Sequence, residues 1–481
     1  MNNKKPIKTK YVIMGLIAVV ALVLLSIALI THFKDGKTQA LMHAETAYVL
    51  LVLLILLPVL LIVLAVAALT GNKKPQIIRA ENVTSAQGNV TFAKSNSEDG
   101  EESEEESYEE DGEQKAEGEE VKRGQRFFRL SRIDEEKEKF RRDRYDDINL
   151  KSFCDSFRNF ACSKLKLYYS IDDIRRFIAG LAVTKLIILQ GISGTGKTSL
   201  AYAFGKFLEN DSTVIPVQPM WKERTDLIGY YNEFTKRFNE TTLLQKMYEA
   251  NYSKDVYITV LDEMNIARVE YYFAEFLSLL ELPNPEERYL DVVSDTWEDD
   301  PVQLVKGRIK LPPNMWFIGT ANNDDSTFAI SDKVYDRAMV LNLDQKSAVF
   351  QAPQTRSVHL SAERFMELAK DAETEYALTK RNLKRLNELD KYLIEAFQIT
   401  FGNRIMKQIK TYIPVYVACG GEELDALDDI LAKKVMRKLE MQNPIYVRNA
   451  APGFIQKLDE LFGEDKMQMC KAVIHRLEKN A

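Results

Sequence analysis

The pattern of apolar and polar positions divides the chain into four parts. Residues 11–31 and 47–69 contain no charged side chain. A helix of either length crosses the roughly 30 Å of hydrocarbon in a bilayer. The loop between them is short, so residues 1–70 are expected to form a transmembrane helical hairpin. Pro58 falls inside the second segment, where a membrane helix tolerates it with a kink. A cleaved leader is the competing reading of the first segment. The length of the run, the lack of a small-x-small cleavage site and the second span close behind it favour an uncleaved anchor.

The second part, 71–145, shows no apolar periodicity. Residues 98–120 are a near-continuous acidic block broken by Lys115, and a basic stretch with Lys122, Arg123, Arg126, Arg129 and Arg132 follows. Such blocks cannot bury a core and repel themselves. A disordered charged linker is expected; a solvated spacer is favoured over a regulated tether or an acidic arm that masks the basic one, and the basic stretch is also placed to touch anionic lipid headgroups.

In the third part, 146–345, globular patterning sets in from about residue 171. Ile174, Phe177, Ile178 and Leu181 have helical spacing. Leu186-Ile187-Ile188-Leu189 is a short apolar run of the kind that forms a buried parallel strand. A second helical face, Leu200, Ala201, Phe204 and Leu208, comes soon after. Apolar runs at 256–261, 315–320 and 340–343 predict three more strands, and an α/β core with a parallel sheet follows. In the fourth part, 346–481, helices are expected over 364–377, 381–400, 404–416 and 425–439, then a short helical pair over 452–481.

The chemistry lies where predicted strands end. Between the first strand and its helix stands Gly191-Ile192-Ser193-Gly194-Thr195-Gly196-Lys197-Thr198, followed by Ser199. Glycines at these positions let backbone amides wrap a phosphate, and the helix N-terminus adds free N–H groups and a positive dipole end. Lys197 is expected to reach the β and γ phosphates, and Thr198 to place its hydroxyl on Mg²⁺. The strand at 256–261 runs into Asp262-Glu263. Asp262 is expected to hold Mg²⁺, and Glu263 to polarise an attacking water as general base. The strand at 315–320 leads to Asn322, which is expected to orient that water or else to make a turn. Asp336-Arg337 precedes the last strand.

Charge changes the picture mainly through its distribution. The formal net charge of −6 gives no global basic signal for nucleic acid. Lys4, Lys5, Lys8 and Lys10 precede the first apolar segment and Lys73, Lys74 and Arg79 follow the second. The loop between carries only Lys34 and Lys37, beside Asp35 and Glu45. The positive-inside rule then places both ends and the globular part in the cytosol. Four cysteines without C-x-x-C spacing, and four scattered histidines, signal neither a zinc site nor a disulfide framework.

Taken together, these blocks resemble the AAA+ superfamily, and within it the McrB-like and MoxR-like (dynein-related) ATPases. The matching pieces are residues 191–198, Val217-Gln218-Pro219-Met220-Trp221, Asp226-Leu227-Ile228-Gly229-Tyr230-Tyr231, residues 261–268, Pro312-Pro313-Asn314, Gly319-Thr320-Ala321-Asn322 and residues 332–338. The resemblance covers about 171–343 and extends more weakly to about 439. It implies a P-loop AAA+ core with a C-terminal helical lid, ATP and Mg²⁺ as cofactors, and a homo-oligomeric ring, usually a hexamer. It makes Asn322 the sensor 1 residue. It makes Arg337 the arginine finger, reaching a neighbour's γ phosphate, with Arg308 as an alternative and a surface salt bridge as the competing role. Arg404 lies where the family carries its sensor 2 residue, so it joins Gly191, Ser193, Gly194, Thr195, Gly196, Lys197, Thr198 and Ser199 in the expected nucleotide set. McrB proper carries an upstream DNA-binding domain and uses GTP. Two apolar segments and an acidic linker stand in that place here, and Thr320-Ala321-Asn322-Asn323-Asp324-Asp325 departs from its Met-Asn-x-x-Asp sequence.

The expected activity is an ATP-driven ring that remodels or moves a client at a membrane. A nucleotide-ordered scaffold without turnover and the motor subunit of a McrBC-like nuclease, with a McrC-like partner, are the alternatives. Residues 281–310 are expected to hold an insertion, in the form of a hairpin, that touches a client or partner.

Overall fold

A computed structural model of the protein describes residues 125–322, 327–344 and 346–480. The chain divides at about residue 112 into two units, and every described residue lies in the second. The two predicted membrane segments and the acidic block fall outside the described residues. Among the described residues no helix is long and apolar enough to cross a membrane.

The expected linker ends earlier than its charge pattern implies. From Arg126 the chain is folded: Phe127, Leu130 and Ile133 are buried, and α1 (Arg129–Glu135) forms on them. Three carboxylates make this possible. Glu240 accepts the backbone N–H groups of Phe128, Arg129 and Leu130 at 2.7–3.0 Å, satisfying donors at the helix start. Arg126 is 3% exposed and forks onto Asp300 through Nε and Nη2, with Nη1 on Asp295 at 2.8 Å. A basic residue expected in a disordered linker is thus part of an internal ion pair.

The core follows in the order α2 (Leu150–Leu165), α3 (Ile171–Val183), β1 (Leu186–Gly191), α4 (Lys197–Phe207), β2 (Thr213–Pro216) and α5 (Thr225–Ile228). A small hairpin, β3 (Tyr231–Asn232) and β4 (Arg237–Phe238), leads to α6 (Thr242–Ala250), β5 (Tyr257–Asp262), α7 (Val269–Tyr272) and α8 (Ala274–Glu281). The segment expected to hold a hairpin forms instead a three-stranded sheet of β6 (Tyr289–Asp291), β7 (Leu304–Val305) and β8 (Arg308–Lys310), in the order β6-β8-β7. The core closes with β9 (Met315–Asn322), α9 (Asp332–Tyr335) and β10 (Met339–Asn342).

The central sheet has the order β10-β1-β9-β5-β2, and all four pairings are parallel. Parallel strands put all their carboxyl ends on one edge, where α/β sheets bind ligands. The loops after β1, β5 and β9 therefore meet at one place.

Side-chain alternation explains the continuous apolar runs. Ile187, Leu189, Trp316, Ile318, Met339 and Leu341 enter one core with α2, α3 and α4. Leu186, Ile188, Met315, Phe317 and Val340 enter the core on the other face with α6 and α8. Strands covered on both sides lose the hydrophobic–polar alternation. Phe153, Phe157, Phe177, Phe204 and Phe207 pack with ring centroids 5.2–6.3 Å apart. Each such buried ring contributes on the order of 2–3 kcal/mol.

The C-terminal part is helical, as the apolar spacing predicts: α10 (Ala362–Glu375), α11 (Lys380–Phe397), α12 (Gly402–Ala418), α13 (Glu423–Lys434), α14 (Pro444–Phe462) and α15 (Gln468–Asn480). Two boundaries differ. The helix expected over 425–439 ends at Lys434 and continues as a 3₁₀ turn, Met436–Met441. The last pair starts at Pro444, capped by Asn443, and runs through Pro452. A helix-internal proline costs about 3 kcal/mol. Burial of Val447, Ala451, Phe454 and Leu458 on the same helix offsets it.

Candidate functional site

β1 delivers Gly191 to the sheet edge at φ +147°, where a Cβ would come within 2.4 Å of Leu343 O. Gly196, at φ +89°, caps α4 in the left-handed region, and its carbonyl accepts the Tyr169 hydroxyl at 2.9 Å. Burial raises the pKa of that phenol, so it stays a donor. Lys197 is 7% exposed, with Nζ donating to Gly191 O at 3.0 Å and Ile192 O at 2.9 Å. The ammonium thus sits inside the loop it is expected to serve. Thr195 Oγ1 donates to Ile192 O at 2.9 Å and stiffens the turn. Ser193 and Gly194 are exposed at its crest, and Ser199 is half-buried in the first turn of α4.

Asp262 is the junction between the strands. Its Oδ1 accepts Thr198 Oγ1 at 2.7 Å and Thr320 Oγ1 at 2.8 Å. Thr320 Oγ1 in turn accepts Glu263 N at 2.8 Å. Strand β9 makes this possible by lying between β1 and β5. Its register sets Thr320 beside Leu189 and Asn322 beside Gly191, while Gly319 faces Leu261. Glu263 is exposed and sits at φ +52°, ψ +46°. A non-glycine residue there stores about 1–3 kcal/mol of strain.

Asn322 lines a cleft of about 280 Å³ with Gln190, Asn265, Thr327, Phe328 and Arg437 among its walls. Asn265 is buried, and its Nδ2 donates to Asn322 O at 2.9 Å. Thr327 Oγ1 donates to the same carbonyl at 3.1 Å. A larger cleft of about 520 Å³, lined by Gln190, Asn342, Asp344, Lys433, Arg437 and Arg476 among others, lies between β10 and the helical part.

The expected arginines separate from this group. Arg337 Nη2 is 2.5 Å from Glu281 Oε2 and its Nη1 donates to Lys333 O at 2.8 Å. Arg404 pairs with the other oxygen of Glu281. The arginine read as sensor 2 therefore shares a carboxylate with the arginine read as finger. Arg437, which sequence reasoning missed, instead lines both clefts, with its guanidinium 3.2 Å from the Tyr335 ring centroid. Arg308 lies on β8 over the Tyr289 ring, in the insertion. Lys434 anchors the segment leading to Arg337: its Nζ donates to Tyr335 O at 2.7 Å and to Ala338 O. Burial lowers its pKa to about 7.

The donor set fits Mg²⁺: a hydroxyl and a carboxylate, both hard oxygen donors, converge beside an amide-lined loop, and Mg²⁺ keeps waters and phosphates as its other ligands. Thr320, Asn265, Glu281 and Arg437 were all legible only as residue types. A threonine ending an apolar strand two positions before Asn322, hence on the same face, was the one signal for Thr320.

A strand–loop–helix phosphate cradle facing a carboxylate pair across an intervening strand defines a P-loop nucleotide-binding domain. Residues 186–338 match the family profile described as AAA domain (dynein-related subfamily). With the parallel sheet flanked by helices, that match supports an AAA+ P-loop ATPase domain at family level. Residues 353–481 match a domain of unknown function, DUF8727. No curated protein matches the chain. Similar solved structures include a candidate ATPase from Cytophaga hutchinsonii, at 14% identity and TM-score 0.42, covering 68% of this chain and 96% of that one. A full-length MCM homolog from Methanopyrus kandleri has 11% identity and TM-score 0.36, covering 61% of this chain and 64% of that one. NtrX from Brucella abortus has 14% identity and TM-score 0.24, covering 64% and 66%.

Proposed function

We propose that the protein hydrolyses ATP with Mg²⁺, at sites completed between neighbouring subunits of a ring, and that a two-helix anchor at 11–31 and 47–69 holds the ring at a membrane. The observation that carries the hydrolytic reading is the convergence of Thr198 and Thr320 on Asp262 Oδ1, with Glu263 tied to the same threonine. It supports reading Asp262 as the metal-binding carboxylate and Glu263 as the general base, because both are tied to one threonine beside the phosphate loop. Lys197 and the loop amides bind the β and γ phosphates. Thr198 and Asp262 would hold Mg²⁺, and the ion would supply charge neutralisation in the transition state. Glu263 accepts the proton of the attacking water, and Asn322 orients that water.

Arg337 lies outside the loop's own cleft, which supports a role toward a neighbouring copy, where it stabilises transition-state charge. Arg437 supplies the cation beside Gln190 and Asn322 in the chain's own clefts. The client is a protein bound near the cytosolic face, a placement supported by the lysines and arginines that flank the two apolar segments.

Phosphate release from MgATP by the full-length protein tests the reading. Wild type turns over, Glu263→Gln binds nucleotide without turnover, and Lys197→Ala loses binding. Equal release by wild type and Glu263→Gln overturns it.

A further inference from the structure

The side chain of Asn265 has no part in the scheme above, yet it is 4% exposed and lies at the wall of the Asn322 cleft. Both hydrogens of its Nδ2 are aimed at carbonyls: Asn322 O at 2.9 Å and Phe328 O at 3.3 Å. Its own carbonyl accepts Phe328 N at 2.8 Å. One residue therefore clips both ends of the segment that runs from β9 to Phe328. The amide's orientation is fixed by this pairing, because a flipped Oδ1 would oppose two carbonyl oxygens. The Oδ1 is buried with no hydrogen-bond partner among the described residues. An unpaired buried acceptor costs about 1–3 kcal/mol. The arrangement persists because the two donors on the other side are used.

Asn265 is also two residues beyond Glu263, on the 3₁₀ turn Met264–Ile266 that Glu263 begins. That turn is held against β9 at Gly319, where a Cβ would come 1.9 Å from Met264 Sδ. The turn that carries the general base and the strand that carries Asn322 are thus joined twice: by the Glu263–Thr320 bond and by the Asn265–Asn322 bond.

We propose that Asn265 is a positioning residue for hydrolysis: by holding the main chain at Asn322 and Phe328 it sets the Asn322 amide relative to Glu263. The inference rests on the hydrolytic reading of Glu263 and Asn322. In this reading Asn265 acts on the reaction only through its neighbours. Its contribution passes through the carbonyl of Asn322, which a second donor, Thr327 Oγ1, also grips.

The test is a double-mutant cycle on the full-length protein, read by steady-state MgATP hydrolysis, MgADP affinity and melting temperature. Asn265→Ala and Asn322→Ala are made singly and together, with Asn265→Asp and Thr327→Val alongside. The expected result for Asn265→Ala is a loss in kcat of about tenfold or more, with KM and MgADP affinity within about twofold of wild type. Asn265→Asp, which keeps the size but turns a carboxylate on two carbonyls, loses at least as much. Thr327→Val loses a smaller factor, because Asn265 still holds the carbonyl. Asn265→Ala added to Asn322→Ala lowers kcat by less than about threefold more, since Asn265 acts through the amide already removed. Full multiplication of the two losses overturns the proposal, and so does wild-type kcat in Asn265→Ala. A fall in MgADP affinity and melting temperature that accounts for the kcat loss also overturns it. Wild-type turnover in Asn322→Ala and Glu263→Gln themselves is the separate result that removes the underlying reading.

Discussion

Thr320 and Asp262 are joined by a 2.8 Å hydrogen bond between neighbouring strands, and the same threonine hydroxyl accepts the amide of Glu263. One oxygen thus orients the carboxylate that faces the phosphate loop and the residue proposed as general base. Thr320→Val keeps the shape and removes that oxygen. It leaves the Glu263 N–H unpaired, and the stability loss should be about 1–2 kcal/mol. Hydrolysis should fall about tenfold or more while nucleotide affinity changes little. A melt and a phosphate-release assay on the same sample check both, and unchanged turnover would remove Thr320 from the site.

Arg337 and Glu263 are expected to serve different active sites. Arg337→Ala and Glu263→Gln should each be inactive alone. Mixed at concentrations where rings form, they should regain part of the activity, because an Arg337→Ala site then lies beside an intact arginine. Phosphate release across the mixing ratio is the measurement. A mixture no better than the sum of its parts would argue that Arg337 acts within its own chain or not at all.

Glu281 holds Arg337 and Arg404 together. Glu281→Gln should lower turnover several-fold with nucleotide affinity unchanged, since the guanidinium of Arg337 is then no longer aimed. Arg404→Ala should show a smaller effect of the same kind and no loss in MgADP binding. A clear affinity loss in Arg404→Ala would return it to the role of cis nucleotide contact.

Arg126 should be a stability residue. It is a buried guanidinium forked onto Asp300, whose side chain is 7% exposed. Arg126→Ala strands that carboxylate and should cost about 3 kcal/mol or more. Asp295 is 62% exposed, and Asp295→Asn should cost no more than about 1 kcal/mol. Urea midpoints separate the two, and equal small shifts would mean that the fork contributes little.

Lys434 predicts a pH dependence. Its ammonium is buried, and its pKa is lowered from 10.5 to about 7 in the folded chain. Between pH 7 and about 10 the unfolded chain binds the proton and the folded chain does not, so stability rises with pH across that window. Below pH 7 both states are protonated and the cost of burial is fully present. Lys434→Met should flatten the rise, which reaches at most about 1.4 kcal/mol per pH unit. Identical slopes for the two proteins from pH 7 to 9 would contradict this.

What the sequence showed and what it hid follow from distance along the chain. β1, β5, β9 and β10 were legible because a strand covered on both faces is a continuous apolar run. Edge strand β2, with two of its four residues exposed, offers no such run. The cradle at 191–198 was legible because its residues are adjacent. Asp262 and Glu263 were legible because acids end an apolar strand. Glu281 and Arg437 acquire meaning only from contacts across dozens of residues, and no local pattern marks them. Arg126 misled for the opposite reason: a basic stretch was read by its charge, while its partners lie about 170 residues downstream.

The sheet β6-β8-β7 has one more consequence. Tyr289 pairs with Lys310, so the chain leaves the core and returns to it at neighbouring points. Between those two residues lie Asp295 and Asp300, which hold Arg126, and Val302 and Gln303, whose amides reach Asp134 and Tyr248. The excursion is therefore a buckle: it fastens the first folded residues of the chain to the domain that carries Thr320 and Asn322.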